Sequence, residues 1–183
     1  MQKLTAQERK KRVEGLVYQF LEVYNLTGEG FSGTPERVAR MWETFFTPQE
    51  FKVTICPMDN TSKWIRFKGH VAWSFCPHHL LPVRYEVTVG YIHTGGRVLG
   101  ASKPLRMVDE VMRAMPLQED IPELVCKMLK LSIATKGTCC FVQGEHACMR
   151  TRGVKSPCSN MGTIFYDGQF EDCSSLRHEF LTL

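Results

Sequence analysis

No run of apolar residues in this 183-residue chain is long enough to cross a bilayer, which sets aside a helical membrane protein. The opening stretch, M-Q-K-L-T-A-Q-E-R-K-K-R, is charged and has none of the apolar character of a signal peptide. There is no tandem repeat and no low-complexity segment, so a repeat array is excluded. The formal charge is small, +4, and gives no footing for nucleic acid, although it suits an anionic small molecule. Eight cysteines are present, and without a secretory signal they read as reduced thiols and metal ligands, not as a disulfide framework. The expectation is a soluble cytoplasmic protein of one domain's size, large enough to bury a real core, with no membrane partner.

The chemistry-bearing residues gather in two places. S-F-C-P-H-H-L-L-P-V, residues 74–83, carries Cys76, His78 and His79 at the end of an extended apolar run. Far downstream, E-H-A-C-M supplies His146 and Cys148. Cys-x-x-His and His-x-Cys are each weak signals, and either alone reads as a buried thiol near a surface histidine. Together they offer the Cys/His set that zinc takes, with three protein ligands and an open fourth position. The favoured ligands are Cys76, His79 and Cys148, which leaves His78 and His146 for proton transfer.

Over residues 6–26, Val13, Leu16, Val17, Phe20, Leu21 and Tyr24 recur at three and four, an amphipathic helix whose stripe needs a partner. A glycine-rich turn at 27–30 ends it. Thr34 as N-cap, Pro35 in the first turn and Glu36 announce the next helix. Arg37 and Arg40 share one face of that helix, and on their own they read as a solvated basic surface. Residues 46–62 have no steady period and read as connecting structure with at most a short strand. Residues 63–75 roughly alternate, and Val83, Tyr85, Val87, Val89 and Tyr91 alternate cleanly with Arg84, Glu86, Thr88 and Gly90 as a half-buried strand. Residues 94–96 read as a turn. Ser102 is positioned to cap a helix over 104–113. Asp120 is positioned to cap another, with Leu124, Val125, Met128, Leu131 and Ser132 inward and Gly137 as its stop. Residues 138–143 form a short strand in which Cys139 and Cys140 point to opposite faces and serve packing. Tyr166-Asp167-Gly168-Gln169 signals a hairpin. This order fits an α+β fold, an antiparallel sheet with helices on one face.

At these residues the chain resembles the GTP cyclohydrolase I family. The family's Cys-Glu-His-His stands here as Cys76-Pro77-His78-His79, and its His-x-Cys and Arg-Gly as residues 146–153. Further matches run in order: residues 34–41, Leu99-Gly100-Ala101-Ser102-Lys103 with Arg106, Gln118-Glu119, and 177–181. The resemblance implies the tunnelling fold, in which sheets join around a ring, here a catalytic region over 51–183 after an N-terminal helical region over 1–50. It implies a homodecamer with active sites at subunit boundaries. It implies Zn2+ as cofactor and GTP, or dGTP, as substrate, and release of C8 of guanine as formate with 7,8-dihydroneopterin triphosphate as product. Arg37, Arg40, Lys103, Arg106 and Arg152 are then expected on the triphosphate with Ser102, and Gln118 and Glu119 on the guanine.

Zinc with an open position lowers the pKa of bound water, and histidine titrates near working pH, so His78 and His146 are the expected acid/base groups. Two positions depart from the family. Its acidic residue between Cys and His is Pro77, which carries neither charge nor N–H. Its hydroxyl-rich stretch after Arg-Gly reads Met161-Gly162-Thr163-Ile164-Phe165. Two other readings stand beside the leading one: a nitrile reductase of the same fold, and a binding module that holds guanine nucleotide without turnover.

Overall fold

The structure is a computed structural model, and it describes residues 4–58 and 64–182. The chain divides into two compact units, Met1–Pro48 and Gln49–Leu183.

The first unit is a pair of helices. α1 (Ala6–Val23) starts at a capping box in which Thr5 and Glu8 bond each other's backbone N–H. It stops three residues before the expected end, where Asn25 takes the left-handed conformation at φ 52°. A single 3-10 turn, Glu29–Phe31, leads into α2 (Thr34–Phe46). The N-cap is Gly33, not Thr34; the Thr34 hydroxyl instead accepts from Arg37 Nη2 at 3.0 Å. Arg9 ties the two helices through paired bonds to the Glu43 carboxylate at 2.8 and 2.9 Å. Only part of the α1 stripe finds cover. Val13, Val17 and Leu21 are half-buried, whereas Leu16, Phe20 and Tyr24 are exposed.

The second unit is built on a four-stranded antiparallel sheet in the order β2-β3-β5-β6. β2 (Ile65–Phe75) pairs with β3 (Pro82–His93), β3 with β5 (Thr135–His146), and β5 with β6 (Met161–Gly168). Lys63, placed in the first strand by its pattern, lies outside the described residues. β5 is twice the expected length, because it begins three residues earlier, at Thr135, and runs on three further, to His146, alongside β3. A two-stranded piece, β1 (Ile55–Pro57) with β4 (Arg97–Leu99), follows from the turn at 94–96.

Period-two burial decides the sheet's two faces. Val83, Tyr85, Val87, Val89 and Tyr91 are all at most 1 % exposed and form one core with Cys140 and Val142. α3 (Lys103–Met112) and α4 (Ile121–Ser132) cover that face, α3 against β2 and α4 against β5 and β6. Cys139 points the other way, into a smaller core with Ile92, Phe170 and Phe180. The last two come from α6 (Gln169–Asp172) and α7 (Ser174–Thr182). The main helices thus lie on one face, as the element order implies, and the C-terminal pair covers one end of the other.

Several local expectations change. α4 turns Ile121, Val125, Cys126 and Leu129 inward, while Leu131 is 88 % exposed. Burial there follows the i, i+4, i+8 row from Ile121, and Leu131 falls off it. Gly137 does not stop α4, which ends at Ser132, but lies inside β5. Gly168 makes no hairpin either: it closes β6 at φ 59° and leads directly into α6.

Candidate active site

One end of the sheet collects the donors. β2 ends at Phe75, so Cys76 emerges at its rim; β5 ends at His146, directly opposite Val83 of β3. A four-residue helix, α5 (Ala147–Arg150), follows at once and carries Cys148. Donor atoms of Cys76, His146 and Cys148 all lie within 4.8 Å of one another. Among the described residues no other group of three or more His, Cys, Asp or Glu side chains converges in this way.

The segment between Cys76 and Leu81 is a tight turn that follows the end of β2. The Cys76 carbonyl accepts from His79 N–H at 3.2 Å and Leu80 N–H at 2.8 Å, and Cys76 N–H donates to Leu81 O at 2.8 Å. Leu80 adopts φ 52° to reverse the chain into β3. The two histidines therefore do not point apart. His78 Nδ1 and His79 Nδ1 both lie 3.7 Å from Cys76 Sγ, with rings inclined at 61°. Both are exposed, whereas Cys76 is 4 % exposed. The distance to sulfur thus treats His78 and His79 alike, and the mutual group holds His146 in place of His79.

The electrostatics follow from burial. Desolvation pushes the His146 pKa down; Glu119 partly opposes this and His78 adds to it. Desolvation, followed by the hydrogen bond and charge of Cys76, pushes the Cys148 thiol up, with Arg152 acting against the rise. Glu119, His78 and Arg152, all exposed, are therefore in electrostatic reach of the cluster. Tyr85 stands edge-on to His146, ring centroids 6.0 Å apart at 89°, and burial raises its phenol pKa further.

Gln118 is buried at 3 % exposure and bonded within the protein. Its Nε2 donates to Met161 O at 2.7 Å and Val142 O at 3.3 Å, and its Oε1 lies 2.7 Å from His146 Nε2. Ser102 is the N-cap of α3, and Lys103, half-buried, is its first residue. Arg106, on the next turn, is exposed and lines a polar hollow with Gln49, Asp109, Glu110 and Arg113. Arg37 and Arg40 are exposed on α2 of the first unit, Arg37 held by the Thr34 hydroxyl. Two residues of the site were not singled out by their sequence pattern, Tyr85 and Gly144. For Gly144 no local signal was present, because the expected strand stopped at residue 143 and only the longer β5 places this glycine in a strand interior.

The donor set suits a borderline-soft cation. Thiols and imidazoles are the ligands zinc takes, and Cys76, His146 and Cys148 offer donor atoms within 4.8 Å of one another, with His79 Nδ1 3.7 Å from Cys76 Sγ.

Residues 13–183 match the GTP cyclohydrolase I family. Among relatives, GTP cyclohydrolase 1 of Enterococcus faecalis is 32 % identical over 181 residues, covering 96 % of this chain and 97 % of that protein. The bifunctional protein FolKE of Lactococcus lactis is 33 % identical over 180 residues; the match takes in 94 % of this chain and about half, 52 %, of that longer protein. A solved structure, the archaeosine synthase QueF-Like in the apo form, superposes with a TM-score of 0.45 at 16 % identity, covering 60 % of this chain and 97 % of that one.

Proposed function

The chain belongs to the GTP cyclohydrolase I family, and from that premise we propose that it is a zinc-dependent hydrolase acting on GTP. It opens the imidazole ring of the guanine, releases C8 as formate and yields 7,8-dihydroneopterin triphosphate. The observation that supports this reading is the convergence of Cys76, His146 and Cys148 within 4.8 Å, on segments far apart in the chain.

Cys76, His79 and Cys148 hold the zinc, with His146 beside them. Bound there, the metal supplies Lewis acidity and lowers the pKa of a water ligand toward neutrality. The remaining roles belong to the chain's own side chains. His146, kept neutral near pH 7 by burial, accepts a proton, and His78, exposed beside it, exchanges protons with the nucleotide. Glu119 accepts from guanine N1–H and the exocyclic amine. Arg37, Arg40, Lys103, Arg106 and Arg152, with the Ser102 hydroxyl, take the triphosphate, arginine providing paired donors to the phosphate oxygens. The functional boundary lies near residue 50, with the tunnelling-fold part carrying the chemistry. The active form is a cytoplasmic homodecamer.

The test is made on the purified full chain. Metal analysis should find zinc, and GTP should release formate together with the fluorescent pterin after oxidation. A protein that binds GTP and releases no formate is a binding module, and the hydrolase reading fails.

A further inference from the structure

The contact between Gln118 and His146 carries more than its length. Backbone carbonyls accept and never donate, so the bonds to Met161 O and Val142 O fix which end of the Gln118 amide is the NH2. Its Oε1 is then the atom facing His146 Nε2 at 2.7 Å, and an amide oxygen can only accept. The hydrogen in that contact belongs to the imidazole. In the neutral ring with its hydrogen on Nε2, the lone pair resides on Nδ1. The opposite tautomer would set two lone pairs against each other in a buried, poorly screened place.

We propose that Gln118 is a positioning residue that holds His146 in the Nε2–H form and fixes the setting of its ring; what this does for turnover rests on the reading of His146 as an acid/base group. Gln118 then acts through His146 and makes no contact of its own with guanine. A second observation supports the arrangement independently. Gly144 lies in the interior of β5, paired with Tyr85 and Met161, where no turn or positive φ calls for glycine. A Cβ there would run into Gln118 Oε1 and stand 3.0 Å from its Cδ and 2.9 Å from Tyr85 Cε1. The glycine is the slot into which the amide fits. The Gln118 main chain is held as well, its carbonyl accepting from Thr163 Oγ1 at 3.2 Å and Ile121 N–H at 3.3 Å. Tyr85, edge-on to the imidazole, limits rotation of the ring.

The tautomer is read from long-range 1H–15N spectra of the full chain at pH 8, without metal and without nucleotide, His146 being assigned by its loss in His146→Gln. His146 should give the Nε2–H pattern. Gln118→Met removes both donors and the acceptor at nearly constant volume, and should move His146 toward a mixture of both forms. The other five of the six histidines report whether the fold is kept. Gly144→Ala, whose Cβ runs into Gln118 Oε1, should produce the same change and serves if Gln118→Met does not fold. In turnover, Gln118→Met should lower kcat by about 10–100-fold, with KM for GTP within about twofold. An Nδ1–H pattern in the wild type, or an unchanged Nε2–H pattern in a folded Gln118→Met, overturns the proposal. So does a raised KM with kcat intact, which would place Gln118 on the guanine. Because the spectra need neither zinc nor GTP, failure of the hydrolase reading leaves the tautomer result standing.

Discussion

Cys139 and Cys140 are neighbours in one strand and lie in two different cores. Cys140 packs with Val87, Val89 and the helices α3 and α4; Cys139 packs with Ile92, Phe170 and Phe180. Both are fully buried and burial pushes both thiols up, while that of Cys126, also buried, is pushed up to about 12. A thiol in that state presents almost no thiolate at pH 8. Cys158 is exposed, and hydrogen bonds from Ser175 and the adjoining backbone lower the Cys173 thiol. Alkylation of the native chain at pH 8 should therefore label Cys158 and Cys173 first, and Cys126, Cys139 and Cys140 only after unfolding. Peptide mapping of a time course checks this, and early labelling of Cys139 or Cys140 would show that their cores open readily.

The ligand set makes a sharper division. Cys76→Ser and Cys148→Ser should each abolish zinc binding, since both sulfurs belong to the converging group. His79→Ala should lose the metal too. His146→Ala and His78→Ala should keep it and slow formate release by roughly 10²–10⁴-fold, the range for acid–base groups. Zinc analysis of the five variants decides the matter. A metal-free His146→Ala would put that imidazole in the coordination shell in place of His79.

Gly137 and Gly168 face each other at the end of the β5–β6 ladder. A Cβ on Gly137 would stand 2.8 Å from Asp167 O and 2.9 Å from Gln169 N, and one on Gly168 would run into Lys136 O. Gly168 also takes φ 59°, a conformation that costs other residues about 1–3 kcal/mol. Gly168→Ala should lose at least that amount in a denaturant titration, and Gly137→Ala should also be destabilised. Wild-type stability in Gly168→Ala would mean that the strand end shifts freely.

Those glycines show where sequence reasoning stops. Each reads locally as punctuation, a helix stop and a hairpin, because a turn is the commonest use of glycine. Their actual cause is a neighbour about 30 residues away in the chain, which no local window contains. The alternation of Val83 to Tyr91 was legible because one covered face imposes it directly on the chain, and the opposed faces of Cys139 and Cys140 followed from the same period. Cys76, His146 and Cys148, which converge within 4.8 Å, were legible as residue types at spacings a metal could use. The placing of His78 and His79 was not: the turn at 77–79 brings both to Cys76, where an extended segment would have parted them. Burial of Gln118 was hidden for the same reason as Gly144's purpose, since each explains the other only across strands.

The N-terminal helices depend on an ion pair with a defined pH window. The Arg9 hydrogen bonds hold the Glu43 carboxyl below the usual carboxylate range, burial opposes them, and Thr47 assists. A carboxyl whose folded pKa is depressed contributes stability above its unfolded value, near 4.3, and loses it as pH falls through the folded value. Glu43→Gln should therefore speed amide exchange in α1 at pH 7, and the difference from wild type should vanish at pH values below the folded pKa. A difference that persists undiminished at strongly acid pH would assign the effect to packing instead of charge.

Pro77 occupies the position after Cys76 in the turn that presents both histidines. Its fixed φ suits the second residue of such a turn, and its missing N–H costs nothing there, because the turn's bonds are donated by His79 and Leu80 to the Cys76 carbonyl. The ring's contribution is to limit the unfolded chain, worth about 0.4–1 kcal/mol. Pro77→Ala and Pro77→Glu should both lose that amount and keep their zinc, since neither touches a donor. They differ in the carboxylate and the stem that carries it: the glutamate supplies the acidic group that the resemblance expects, on an exposed position one residue from His78. If that carboxylate assists proton transfer after ring opening, Pro77→Glu should form more dihydroneopterin triphosphate per formate released, and Pro77→Ala should match wild type. Zinc loss in both would show that the rigid turn itself holds His79 in place. An unchanged product ratio in Pro77→Glu would show that later proton transfers run through His78 and His146 without help from residue 77.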